Sequence, residues 1–334
     1  MPNHRIIVTG GAGFIGSAVV WRLNQLGRED ILIVDRMDET DKWKNLAPLK
    51  FADYIEADDF LDAIDDFKDA ETVFHLGACS STTERNADFM IRNNYQYTKE
   101  LADWAVGNDV RFVYASSAAT YGDGSAGMED GMENLNALRP LNVYGYSKHL
   151  FDLYAAKNGY FDRIVGLKYF NVFGPNENHK GDMRSLVNKA FDQINETGKL
   201  NLFKSHNPDY KDGEFGRDFV YVKDAVDMTL HFMENGKAGL FNVGSGRMQT
   251  WNELAAAIFG ALDLPPNIEF IDMPEHLRDR YQYRTEADLA LIRKAGYAAE
   301  PTPLRKAVAD YVQNYLIPGK YLGDWAFVPG VSRV

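Results

Sequence analysis

Apolar residues fall along this chain in short β-branched runs, each followed by a stretch with helical spacing. The runs "RIIVT" (5–9), "ILIVD" (31–35), "TVFHLGA" (72–78), "RFVYASS" (111–117) and "IVGLKYF" (164–170) are apolar without alternation. Such runs suit strands covered on both faces, as in a parallel sheet. Between them, segments such as "IGSAVVWRLNQL" and "YTKELADWAVGN" repeat their apolar positions with helical periodicity. Strand and helix in alternation predict an α/β fold, a Rossmann-type doubly wound parallel sheet with right-handed crossovers.

Beyond about residue 171 the pattern changes. "GPNENHKGDM" and "KSHNPDYKDGEFGRD" are rich in Gly, Pro, Asn and charge, and read as loops. "RDFVYV" (217–222) and "GLFNVGSG" (239–246) then look like strands returning to the main sheet. The expected division is a dinucleotide-binding domain of residues 1–171 plus about 217–246. Residues of about 172–216 plus 247–334 form a smaller C-terminal α/β substrate domain.

Composition narrows the function. With 45% apolar and 25% charged residues the chain is an ordinary soluble one. Its net charge, 36 − 48 = −12, argues against nucleic acid or an anionic membrane as partner. The single cysteine, Cys79, excludes an internal disulfide and points to a reducing compartment. The start "MPNHRIIVTGG" has no signal-peptide core, and no window approaches a membrane span, so a cytoplasmic location is expected. The seven histidines show no metal-ligand spacing; no metal is expected, and His179 reads as a loop hydrogen-bonder.

The first candidate chemistry lies in "RIIVTGGAGFIGSAVV", where Gly10, Gly13 and Gly16 sit between a strand and an apolar helix. Glycine there permits a tight turn and lets the backbone approach a pyrophosphate, which rests on the helix N-terminus. The second strand ends in Asp35, placed for the adenosine ribose hydroxyls. A carboxylate alone favours NAD, but Arg36 follows at once and Lys42 and Lys44 lie in the next loop. Cations there suit a 2′-phosphate, so NADP is the expected cofactor.

The second lies in "RPLNVYGYSKHLF" (139–151). On a helix, Tyr144 and Lys148 share a face that Tyr146 does not. A nearby ammonium favours the phenolate, so the pair fits an acid–base tyrosine. A tyrosine and a lysine on a half-exposed helix fit these residues equally well.

Ser117, in "YASSAATYG" (114–122), lies at the C-terminal end of an inferred strand, the edge where open α/β sheets bind ligands. With Tyr144 and Lys148 it resembles the Ser–Tyr–Lys set of the extended short-chain dehydrogenase/reductase superfamily. "GACSSTTE" (77–84), "NNYQYTKEL" (93–101), "YFNVFGP" (169–175), "HKG" (179–181) and "RDFVYVKD" (217–224) are similar to the ADP-glyceromanno-heptose 6-epimerase family. The likeness continues to "RYQ" (280–282) and "ADL" (287–289). It implies an ADP-heptose substrate inverted at C6″, one tightly held NADP per subunit, a place in lipopolysaccharide core precursor supply, and a cyclic homo-oligomer such as a pentamer.

Inverting an unactivated secondary alcohol requires that its hydrogen leave as hydride and return on the other face, with a base and an acid for the hydroxyl proton. The resemblance assigns the acid–base roles to Tyr144 and Lys180, with Lys148 holding the nicotinamide ribose and lowering the Tyr144 pKa. Ser117 would hydrogen-bond the reacting oxygen. It also assigns Phe14, Ile15, Leu76, Gly77, Ala78, Ser80, Asn93 and Val172 to the cofactor, with Cys79 and Lys180 beside it. Asn171, Asp182, Lys189, Phe203, Lys204, Ser205, His206, Arg217 and Tyr281 match substrate contacts, Arg217 suiting a diphosphate.

Departures are visible too. Leu76 stands where the family commonly has glutamate, Arg36 replaces the usual asparagine, and "NPDYKDGEFG" (207–216) is longer than usual. Cys79 as a nucleophile is a weaker reading than a small residue packed beside the cofactor. One rival is another nucleotide-sugar epimerase or dehydratase. Ala118 and Ala119, where a 4,6-dehydratase usually has acids, count against the latter. The other is a non-catalytic NADP-sensing protein, which typically lacks the Tyr or Lys kept here.

Overall fold

The computed structural model describes residues 5–278 and 281–324. Its strands in chain order are β1 (Ile6–Thr9), β2 (Ile31–Asp35), β3 (Asp53–Glu56), β4 (Thr72–His75), β5 (Arg111–Ser117), β6 (Val165–Tyr169) and β7 (Asn171–Phe173). There follow β8 (Leu200–Phe203), β9 (Gly216–Arg217), β10 (Phe219–Tyr221), β11 (Gly239–Val243), β12 (Gln249–Thr250) and β13 (Ile268–Ile271). Among the described residues, seven of them form one parallel sheet in the order β11–β6–β5–β4–β1–β2–β3. Every residue of β1, β2, β4 and β6 is buried, as the unbroken apolar runs require of strands covered on both faces. The strand order reverses between β1 and β4, which opens a crevice beyond their carboxyl ends.

Two features differ from the sequence expectation. The edge strand β3, "DYIE", has exposed or half-exposed positions and charged ends, so no apolar run announces it. The other concerns "RDFVYV". Residues 239–243 do join the main sheet beside β6, but 217–221 do not. The amide of Phe170 donates to the Val243 carbonyl (2.9 Å), and β11 thereby takes the sheet edge. The chain then leaves the sheet as β7, which pairs in parallel with β10, while β9 pairs antiparallel with β12.

A smaller region is built on the parallel pair β8–β13 and the helices Leu186–Thr197, Trp251–Ala261 and Leu304–Tyr311. Its buried Val187, Ile194, Ile258 and Val308 share one apolar cluster with Val8, Phe74 and Leu167 of the main sheet. No helix among the described residues is long and apolar enough to cross a membrane.

Candidate active site

A cleft of about 1120 Å³ runs along the carboxyl edge of the sheet and into the smaller region. Sites for a single drug-sized ligand span roughly 300–1,000 Å³, so this one has room for a ligand larger than drug-sized.

At one end lies the glycine turn. The amide of Gly10 donates to the Val34 carbonyl (2.7 Å) and that of Gly13 to the Gly10 carbonyl (3.0 Å). Gly10 has φ 70°, and a Cβ there would sit 2.5 Å from the Gly77 nitrogen; one on Gly16 would sit 2.0 Å from the Gly10 oxygen. Two turns therefore pack backbone to backbone, which only glycine allows. The helix Phe14–Gln25 starts at Gly13 with no side-chain cap, leaving first-turn N–H groups for an anion. Gly10, Gly13, Phe14, Ile15 and Gly16 all line the cleft. These features fit a dinucleotide's pyrophosphate.

The carboxylate of Asp35, in the same cleft, accepts from the amides of Ala12 and Arg36 (2.8 Å each) and from Lys42 Nζ (3.0 Å). Arg36 is placed otherwise than expected. Its guanidinium turns away to Asp58, with the Asn93 side chain at 2.9 Å, and neither Arg36 nor Asn93 lines the cleft. The acidic pair Glu56 and Asp58 captures it, a competition invisible until β3 is laid beside β2. Lys44 pairs with Asp41 (2.8 Å). Lys42 is thus the cation beside Asp35.

Leu76, Gly77, Ala78, Cys79 and Ser80 line the floor. Two residues that sequence reasoning missed hold them. The Asn94 side chain accepts from the Cys79 amide (2.9 Å) and donates to the Cys79 carbonyl and Ser147 Oγ (3.0 Å each). Ser147 Oγ in turn donates to the Tyr144 carbonyl (2.7 Å), which ties this floor to the helix of Tyr144. His75 is fully buried between Thr9 Oγ1 (2.6 Å) and Thr98 Oγ1 (2.8 Å). Thr98 donates onward to the Asn94 carbonyl, so the ring must donate to Thr98 from Nε2 and accept from Thr9 at Nδ1. Thr9 Oγ1 then accepts from the Gly77 amide (3.3 Å), completing an ordered chain. The motif "NNY" carried the Asn94 signal, but only packing tells which asparagine points inward.

Burial pushes the His75 pKa well down, and that of His179 down to about 4. The sign follows from linkage. The unfolded chain binds protons below about 6.5 that the folded chain does not, so stability falls as pH drops. Between pH 6.5 and 5.5 each ring costs about 1 kcal/mol. Unfolding midpoints at the two pH values check this: His179→Gln should flatten the dependence, and an unaltered slope would rule out His179 as a contributor.

The helix that carries the expected acid–base pair, Val143–Lys157, is capped by the Asn142 side chain, which accepts from the Gly145 amide (2.8 Å). A Cβ on Gly145 would come within 2.6 Å of the Ala119 carbonyl, so the helix presses on the turn that follows Ser117. That contact brings Ser117, Tyr144 and Lys148 into one wall of the cleft, while Tyr146 is 49% exposed. Burial raises the Tyr144 phenol above its ordinary range and a hydrogen bond with Ser117 pulls it back. The lowering expected from Lys148 is not seen: burial sets the direction, and Ser117 is what opposes it. Lys148 is 3% exposed and its pKa falls to about 8, because burial outweighs the help of Asp152 one turn along.

Lys180 also lines the cleft, on the turn Asn178–Met183, with its ammonium 5.3 Å from the centre of the Phe14 ring. Burial lowers its pKa against the opposing pull of Glu177. Asn171, Val172, Lys189, Phe203, Arg217 and Tyr281 also line the cleft. Asp182, Lys204, Ser205 and His206 do not. Lys204 pairs with Asp272 (3.2 Å), Ser205 is turned to Asn207 and Asp212, and the His206 amide donates to Tyr283. The loop 207–216 thus holds Ser205, while Asp272 and Tyr283 hold Lys204 and His206; Arg280 of "RYQ" lies outside the described residues. Arg217 is 8% exposed, its guanidinium 5.0 Å from the Tyr281 ring and 5.9 Å from that of Trp251. No carboxylate among the described residues pairs with it. A buried cation without an acid, framed by aromatic rings, is built for an incoming anion.

The chain matches the NAD dependent epimerase/dehydratase family over residues 6–244. It is 51% identical over 314 residues to the ADP-L-glycero-D-manno-heptose-6-epimerase of Nitratidesulfovibrio vulgaris strain Hildenborough, covering 93% of this chain and 97% of the relative. The protein of that name from Fusobacterium nucleatum is 46% identical over 324 residues, covering 93% and 98%. The crystal structure of the Helicobacter pylori ADP-L-glycero-D-manno-heptose-6-epimerase aligns with a TM-score of 0.78 at 26% identity, covering 93% of this chain and 96% of that one. A glycine cradle ending in Asp35, a Ser117–Tyr144–Lys148 wall and a family match across the whole sheet agree: the chain belongs to the NAD dependent epimerase/dehydratase family.

Proposed function

We propose that the protein inverts C6″ of ADP-D-glycero-β-D-manno-heptose to give the L-glycero isomer, with one tightly held NADP per subunit, in the supply of heptose for lipopolysaccharide core precursors. The observation that carries this reading is the 51% identity, over 93% of the chain, with a relative of that name. The site supplies what the reaction needs. A nicotinamide cofactor, when bound, provides the acceptor and donor of hydride, so that no net oxidation occurs.

Everything else falls to the chain. Tyr144, once ionised to the phenolate, takes the C6″ hydroxyl proton, with Ser117 hydrogen-bonding the reacting oxygen and Lys148 supplying positive charge in the same wall. Lys180, in the same cleft, is the acid–base group for the other side of the substrate. Its ammonium, with a pKa lowered by burial, gives up a proton more readily than an exposed lysine does. Arg217 receives the ADP diphosphate between Tyr281 and Trp251. NADP over NAD is supported by Lys42, whose ammonium lies 3.0 Å from Asp35 and 3.3 Å from Asp38 and offsets their repulsion of a 2′-phosphate. Lys42→Met should therefore weaken NADP about tenfold or more while sparing NAD, since a hydrogen bond to a charged group is worth roughly 1.5–3 kcal/mol. Titration of both cofactors measures it; equal losses would refute the assignment.

The deciding experiment incubates purified protein with ADP-D-glycero-β-D-manno-heptose and follows C6″ by NMR. Conversion without added cofactor supports both reaction and tight binding. No conversion even with NADP⁺ supplied rejects the heptose reading.

A further inference from the structure

The turn that carries Lys180 is fastened to the cofactor's glycine turn by two buried asparagines that no catalytic step uses. Asn45 and Asn176 are each 1% exposed. The amide nitrogen of Asn45, Nδ2, carries two protons and meets two backbone carbonyls: that of Ala12 (2.9 Å) and that of Asn176 (3.1 Å). Ala12 lies between Gly10 and Gly13, and its own N–H is held by Asp35 (2.8 Å). Asn45 Nδ2 thus bridges the glycine turn and the root of the Lys180 turn, with His179 Nδ1, next to Lys180, as a third partner at 3.2 Å.

Asn176 completes the fastening. It sits at φ 79°, a left-handed conformation that asparagine tolerates better than other non-glycine residues. Its Nδ2 donates to Ser17 Oγ on the first helix (2.9 Å), and its Oδ1 accepts from the buried Leu322 amide (2.9 Å). One residue later the carboxylate of Glu177 accepts from the amide and hydroxyl of Ser185 (2.6 Å each), and its carbonyl accepts from the Lys180 amide (3.0 Å). The turn is anchored at both ends, with Lys180 between the anchors.

We propose that Asn45 and Asn176 are positioning residues: a latch that makes the cofactor cradle and Lys180 one rigid piece. This rests on the acid–base role proposed above for Lys180. The physical reason for such a latch is distance tolerance. Lys180 and the cofactor must address the same carbon from elements far apart in the chain, and a misplacement of about 1 Å can cost on the order of 100-fold in rate.

The test uses the holoenzyme and the variants Asn45→Ala and Asn176→Gly. The glycine keeps the left-handed backbone and removes only the side chain's two bonds, so it carries the test if Asn45→Ala does not fold. Each should lower kcat by about 10- to 100-fold, with KM and bound cofactor per subunit changed far less. In a Lys180→Met background neither should lower kcat further, because there is no longer a lysine to position. Hydrogen exchange of residues 177–184 in the holoenzyme should quicken about tenfold while that of β1 and β4 stays unchanged. An unchanged kcat, or the same loss in the Lys180→Met background, overturns the proposal. If Lys180→Met itself keeps wild-type kcat, the role of Lys180 has failed; unchanged exchange in that turn then shows that the latch has failed separately.

Discussion

Tyr144→Phe is expected to lose about 10³-fold or more in kcat while retaining its cofactor and its fold. The loss is that of a general acid–base group, typically 10²–10⁴-fold. Only the hydroxyl is removed, and the close packing of the helix at Gly145 against the turn after Ser117 is left as it is. The comparison with Lys180→Met separates this from loss of substrate binding. Both should depress kcat, and neither should release the cofactor, because the glycine turn and Asp35 lie elsewhere in the cleft. C6″ inversion followed by NMR over long incubations measures the residual rate. A Tyr144→Phe enzyme within tenfold of wild type would sink the assignment of the tyrosine.

The second large effect is on stability. Asp152 and Lys168 are 0% and 1% exposed, 3.6 Å apart, directly beneath the catalytic wall. Asp152 also accepts from Tyr114 (2.7 Å) and Ser116 (2.8 Å), and Lys168 donates to Thr120 (2.9 Å) and sits over the Tyr121 ring. Removing one partner strands a buried charge and leaves two hydroxyls without an acceptor. Asp152→Ala should therefore cost about 3–5 kcal/mol. Pairing it with Lys168→Met should restore much of the loss, since the stranded charge disappears with it. Chemical denaturation of the single and double variants reads this out. Additive losses would show that the two charges do not depend on each other.

The two largest effects differ in how visible they are in the chain. Tyr144 and Lys148 announce themselves by a four-residue spacing, and Gly10, Gly13, Gly16 and Asp35 by their place after strands. Lys168 looks like an intruder in the apolar run "IVGLKYF", and nothing local pairs it with Asp152. The pairing exists because β5 and β6 run side by side, with Ser116 in register with Lys168, and the catalytic helix lies across them.

What the sequence by itself determined is whatever depends on neighbours along the chain. Unbroken apolar runs specified buried parallel strands, glycines specified a tight turn before a helix, and the i, i+4 spacing put Tyr144 and Lys148 on one face. The tertiary structure alone decided matters in which distant groups compete. Arg36 could have met a phosphate, but Asp58 and Glu56 captured it once β3 lay beside β2. From its spacing Lys148 is expected to lower the Tyr144 pKa, but burial of the phenol raises it and the opposing pull comes from Ser117. Asn45, Asn94 and Asn176 read as ordinary polar residues, yet each closes hydrogen bonds between segments far apart in the chain. Desolvation and hydrogen-bond satisfaction are properties of a packed interior, and a linear pattern carries neither.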